Sequence, residues 1–433
     1  MKLSLFQSIL MGIFGFAAVV GLFVFATYTS KNSGGSTVGN VTIWGTLPKD
    51  ALNAMLSTVT QIDPTLKNVT YVQKDEATLP SDLASAIATG SSPDLVLASG
   101  ENLLSLSKFI TPIPLATLSA RTFRSSFVEN ANVFAVPGGG YFGIPFLIDP
   151  LVLFSNHSIL SSSSIVRPPA SWEALTGLVP NIAKFSASRQ IIRGLIALGT
   201  YDNVHNARGI LSNLFLQTNV PITGYTATGI LTADLGSQAT SGVPPGQAVV
   251  RFYTQFTDPS KMSYTWNASL PNSQQAFLSG DLALYLGYAS EARYLRQANP
   301  NLDFDATPVP QPATMQVKTA YGLVYAFMIP RGAANAGGAY QAAVLLSGAN
   351  EQTVAAAATG LAPASLTALA TPPADPILAV AYAEALYTKS WLSPLPTLTD
   401  PVFSGMINNV ISGRTTLDTA LSIAERSLAA LLQ

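Results

Sequence analysis

Residues 40–98 alternate strand, helix, strand, helix, strand, and that order restricts the fold more than any other feature of the chain. Asn40–Trp44 (NVTIW) is short and β-branched. Leu52, Met55, Leu56 and Val59 recur at i, i+3, i+4 and i+7, the spacing of one helix face. Asn68–Gln73 (NVTYVQ) reads as a second strand. Ser81 is placed to cap the next helix, Leu83 and Ile87 share its inner face, and Gly90 ends it. Asp94–Ala98 then runs apolar after its leading aspartate, as a strand covered on both faces does. The alternation predicts an α/β fold with a doubly wound, mostly parallel sheet. In such sheets ligands bind beyond the carboxyl ends of the strands. Those ends are Trp44-Gly45-Thr46 and Ala98-Ser99-Gly100-Glu101, which read either as cleft-lining groups or as ordinary solvent loops.

A second unit follows. Pro150–Ser155 (PLVLFS) reads as a strand, and Ser171 as the cap of a helix through SWEALTGLVPNIAKF, with Trp172 packing inward. Helical patches are expected near 188–218 and 274–279, then a strand at Ala283–Tyr288 and a helix ended by Asn299-Pro300. Three stretches read as linkers: Gly143–Pro150, Pro308–Thr319 and Thr371–Pro376. Several crossings between two α/β units would make a hinge. Leu417, Leu421, Ala424, Leu428 and Leu431 line one face of the last helix, which is ordinary packing, and a monomer is expected.

The 433 residues are enough for two cores. A net charge of −1 gives no field that would favour nucleic acid or an anionic membrane surface. Residues 3–28 carry no charge and are long enough to span a bilayer. Val24 and Phe25 precede Ala26 without a clean small-x-small cleavage site, so an uncleaved anchor over 1–30 is expected, with a Gly/Ser tether over 31–39. The chain has no cysteine, which excludes disulfides, thiol catalysis and a lipid-modified N-terminal cysteine. Its histidines, His157 and His205, show no metal-ligand spacing and read as chance surface residues. No cofactor is expected. Ser105-Leu106-Ser107-Lys108 matches the S-x-x-K of penicillin-binding enzymes, but Lys318-Thr319-Ala320 only half matches K-T-G and S-D-N is absent. The Gly-Gly-Gly at 138–140 follows Pro137 and no strand, so it is no phosphate cradle.

Six segments in order resemble the extracellular solute-binding proteins of ABC importers, the group that includes maltose-binding protein. DLASAIATGSSPDLVLAS is similar to the family's helix–Gly–x–x–Pro-Asp–strand signature, GIPFLIDPLVLFSNHSIL to its first crossover, and RPPASWEAL to the turn after it. QQAFLSGDLALYLGYASEARYLRQANP resembles its F-x-x-G strand block, and TGLAPAS with ISGRTTLDTALSIAERSL its late loop and last helix. The resemblance implies a two-lobe periplasmic-binding-protein fold of type II. Lobe 1 would be 40–146 plus 320–372, and lobe 2 would be 149–317 plus 376–433. It implies a non-enzymatic receptor that closes on a small solute, a sugar before others, and presents it to an ABC transporter permease. A sensor or assembly module, or an S-x-x-K serine enzyme, are the other readings. Family positions carried onto the chain make Trp44, Thr46, Ser99, Glu101, Asp149, Tyr288 and Tyr321 ligand-binding residues. The family's aromatic platforms are replaced at Ser290 and near Asp400, and Tyr141 and Trp391 could compensate.

Overall fold

A computed structural model describes residues 37–238 and 242–432. The expected anchor over 1–30 and most of the tether lie outside them. Among the described residues no helix is long and apolar enough to cross a membrane. Eight strands and six helices position the site. In chain order they are β1 (Val41–Gly45), α1 (Lys49–Ile62), β2 (Val69–Gln73), α2 (Leu79–Ala88), β3 (Leu95–Ser99), β4 (Ile144–Asn156), β5 (Ile191–Ile196), α3 (Ala207–Gln217), β6 (Leu282–Tyr288), α4 (Glu291–Ala298), β7 (Phe304–Thr307), β8 (Ala320–Met328), α5 (Pro396–Ile411) and α6 (Leu417–Leu431).

The opening alternation folds as its pattern dictates. Leu52, Met55, Leu56 and Val59 of α1 are buried, and β1 pairs in parallel with both β2 and β3. The expectation of a mostly parallel sheet is corrected beyond that point. The order is β2-β1-β3-β8-β4-β6-β5, with β8 antiparallel to β3 and to β4, and β4 antiparallel to β6. Parallel neighbours need a helical crossover, whereas a strand that carries the chain from one half of the sheet to the other can pair antiparallel.

β4 is that strand. All 13 of its residues are buried. Ile144–Pro150 pair with β8, and Leu151–Ser155 pair with β6. The stretch Gly143–Pro150 is therefore mostly strand and not a linker. Burying side chains such as Phe146, Leu147, Ile148, Leu151 and Phe154 contributes about 1.5–3 kcal/mol each, which ties the two halves through one core.

Three other local expectations change. Ile191–Ile196 is a strand and not part of a helix; it pairs in parallel with β6. The helix from Ser171 breaks at Gly177 into Trp172–Thr176 and Val179–Ile182, although Ser171 Oγ does cap it by accepting from the Ala174 N–H. α2 begins at Leu79 after Thr78, so Ser81 lies inside it, its hydroxyl donating to the Thr78 carbonyl.

Candidate functional site

Strand register converges several polar side chains where the two halves of the sheet meet. Asp149 pairs with Leu323 on one side of β4, and two residues later Leu151 pairs with Tyr288. Gly322, next to Tyr321, pairs with Pro150, and Ser99 pairs with Tyr325. Ser99 thus ends β3 against β8, and the chain turns through Gly100-Glu101-Asn102 in a short 3-10 turn.

The first turn of α3 enters this junction from the other half. Asn206 precedes α3 with φ 62° and makes no side-chain cap. Its amide is used elsewhere, donating to Glu291 Oε1 at 2.6 Å and to the Tyr285 hydroxyl at 3.3 Å. A Cβ on Gly209 would lie 2.5 Å from the Tyr288 hydroxyl, so only glycine lets the helix come this close. Between them stands Arg208. Its Nε donates to Asp400 Oδ1 at 3.1 Å and its Nη1 pairs with Glu101 Oε1. The same Glu101 oxygen accepts from the Tyr321 hydroxyl, and the Tyr201 hydroxyl donates to Asp400 at 2.6 Å. Burial opposes the Arg208 charge most, but the charge and hydrogen bond of Glu101 together with the Tyr321 and Tyr288 oxygens outweigh it and hold the guanidinium above its ordinary range.

Asp149 accepts from the Ser290 N–H at 3.0 Å and from the Ser290 hydroxyl at 2.5 Å. Burial pushes its carboxyl up to about 7 against those two donors, and Glu291 adds to the rise. Burial, then the charge of Glu101, raises the hydroxyls of Tyr288 and Tyr321, and burial followed by Asp149 raises that of Tyr325. All three stay protonated donors. Glu291 fixes the arrangement from behind, accepting from Asn206, Gln274, Tyr285 and the Tyr288 N–H.

Two cavities open on the cluster. One, about 470 Å³, is bounded by Tyr201, His205, Arg208, Tyr288 and Asp400. The other, about 450 Å³, is bounded by Thr46, Asp149, Ser290, Tyr294 and Tyr325. Both fall in the size range of small-molecule sites. A third, about 480 Å³, lies between residues 129–133 and 386–392. Among the described residues no group of three or more His, Asp or Glu could hold a metal ion.

Ser99, Glu101, Asp149, Tyr288 and Tyr321 are therefore gathered in one cluster, and Thr46 borders the cavity that Asp149 shares. The other three stand apart. Trp44 is half-buried with the Lys74 ammonium 3.9 Å from its ring centroid. Tyr141 is buried and stacked on Phe123 at 3.7 Å. Trp391 is buried, its N–H donating to Ser212 Oγ, and it borders the third cavity. His205 is not an isolated surface residue: it borders the first cavity, 3.8 Å from Glu291. Ser105 Oγ donates to the Asn102 carbonyl, and the Lys108 ammonium lies over Phe109.

Arg208, Tyr201, Tyr325 and Glu291 escaped the sequence reading. One signal was there for Arg208. It is the only charged residue in α3, whose next nine residues, Gly209–Gln217, are all buried. A charge at the head of so buried a helix needs a partner.

The family of bacterial extracellular solute-binding proteins matches the sequence over residues 65–380. No curated protein matches it. Solved structures of the same fold include a cyclo/maltodextrin-binding protein complexed with maltotetraose, at TM-score 0.73 and 15% identity, covering 93% of this chain and 99% of that one. A cyclic α-maltosyl-1,6-maltose binding protein from Arthrobacter globiformis matches at TM-score 0.71 and 16% identity, covering 91% and 98%. A Thermus thermophilus maltotriose binding protein bound with maltotriose matches at 0.64 and 15%, covering 91% and 100%. The two-lobe α/β periplasmic-binding-protein architecture is common to all.

Proposed function

The chain belongs to the bacterial extracellular solute-binding protein family, and from that premise we propose that it is the receptor of an ABC importer, binding a small solute, a sugar before others, between its lobes. Lobe 1 is 40–146 plus 320–372, and lobe 2 is 149–317 plus 376–433, in the type II arrangement. The segment 1–30 anchors the body to the membrane on its outer side, and residues 31–39 tether it. The partner is a permease, met by the closed lobes of a monomer, and the protein binds without catalysis.

The observation that carries this reading is the convergence of carboxylates and tyrosines from both halves of the sheet at one junction. Glu101 and Tyr321 come from lobe 1, and Arg208, Tyr288 and Asp400 from lobe 2. Sugar hydroxyls both donate and accept, so a wall of carboxylate acceptors and phenol donors matches them. Ligand-binding roles are assigned to Thr46, Ser99, Glu101, Asp149, Tyr288 and Tyr321 here. Trp44 meets a sugar face only if Lys74 swings off its ring, while Tyr141 and Trp391 are buried away from these residues. The solved relatives named for maltodextrins and maltotriose make malto-oligosaccharides the first candidates.

A thermal-shift screen of the protein against malto-oligosaccharides, monosaccharides, amino acids, peptides and polyamines tests this. A ligand at 100 times its Kd stabilises by about 2.7 kcal/mol. Stabilisation by a sugar is expected. A shift produced only by amino acids, peptides or polyamines would overturn the sugar assignment.

A further inference from the structure

Arg208 is placed at some expense. Its helix gives up a side-chain N-cap, because Asn206 turns its amide to Glu291 and Tyr285, and it takes a left-handed residue at that position. It also keeps Gly209 where any Cβ would meet the Tyr288 hydroxyl. These features bring a guanidinium, 16% exposed, to a carboxylate 4% exposed. A buried ion pair is weak evidence for stability alone, since desolvation offsets much of the Coulomb gain. The pair's place in the chain matters more. Glu101 follows β3, while Arg208 and Asp400 belong to the other lobe. Tyr321 fixes the Glu101 oxygen that Arg208 meets. Asp400 and Tyr201 fix Arg208 from its own side, so the guanidinium is preorganised toward lobe 1.

We propose that Arg208 is a cross-cleft latch, a specificity-determining residue whose pairing with Glu101 closes the lobes on each other and which a solute must share or displace. The proposal rests on the reading of the protein as a two-lobe receptor. Its consequence is that closure is driven in part by the protein's own charges. Solutes that cannot offer hydroxyls to both Glu101 and Arg208 lose the competition with that ion pair. Solutes larger than the space on either side of it require it to open.

The absence of cysteine in the chain makes the test direct. Cysteines replacing exposed Ser57 on α1 and exposed Lys261 in lobe 2 take spin labels, and pulsed dipolar spectroscopy reads the interlobe distance in the full chain in detergent. Without added solute, a short-distance population is expected. Arg208→Gln and Glu101→Gln should each lower it about tenfold relative to the long-distance population, the least that coupling between close charge pairs implies. Arg208→Lys keeps the charge but loses the fork, so it should fall between. Circular dichroism of each variant guards against loss of fold; an exchanged pair would not serve, because a glutamate at 208 would face Asp400. Distance distributions unchanged in both Gln variants, or no short population in the parent, would overturn the latch. Adding maltotriose to each sample reads the receptor assignment separately. Lobes that respond to Arg208→Gln but never to maltotriose or another sugar would leave the latch standing and count against the sugar.

Discussion

Asp149 gives the sharpest quantitative expectation. Its carboxyl is buried at the junction of the two sheet halves and is pushed from 3.8 up to about 7. For an acid raised on folding, the folded chain keeps a proton that the unfolded chain has lost between those values. The stability tied to it is fully present below about pH 4 and is lost as pH rises through about 7. A rise from 3.8 to about 7 corresponds to about 4 kcal/mol in all, of which about 2–3 kcal/mol falls between pH 5 and pH 8. Asp149→Asn removes the titration and keeps a carbonyl oxygen for the Ser290 N–H. Urea denaturation of both proteins at pH 5, 6, 7 and 8 measures the effect. Relative to the parent, the variant should gain about 2–3 kcal/mol across that range. A stability difference that stays constant with pH would show that Asp149 is ionised in the folded protein and refute the reasoning.

Tyr288→Ala should weaken solute binding at least about tenfold, or 1.4 kcal/mol, in isothermal titration, because it removes a donor and an apolar face from the first cavity. Gly209→Ala should destabilise by about 1–3 kcal/mol in denaturant and weaken binding as well, since its methyl group displaces Tyr288 and the first turn of α3. Glu384 is fully buried and burial pushes it up to about 8, against the Val309 N–H that it accepts. The sign is that of Asp149, so Glu384→Gln should gain stability on the parent as pH rises toward 8, read by the same urea series.

Part of this site was legible in the residues. Trp44-Gly45-Thr46 and Ser99-Gly100-Glu101 follow parallel strands, and the location rule for such sheets needs only the strand order. The crossover strand is legible from Pro150 on but not over Ile144–Asp149, where Gly143 ahead of it and Pro145 and Pro150 suppress a strand signal that pairing with β8 overrides. Arg208 was hidden because Ile191–Ile196 and α3 both read as helix; an apolar run of that length does not separate strand from helix. Tyr141 and Trp391 show the opposite limit. An aromatic in an apolar setting looks the same in sequence whether its ring faces a cleft or, as with Tyr141 on Phe123, the core.

Hydrogen–deuterium exchange with and without a saturating malto-oligosaccharide tests the central claim most directly. If the solute is held between the lobes, amides at 99–103 in lobe 1 and at 201–209 and 288–291 in lobe 2 should gain protection together. Protection confined to one lobe, or appearing only around residues 386–392, would contradict it.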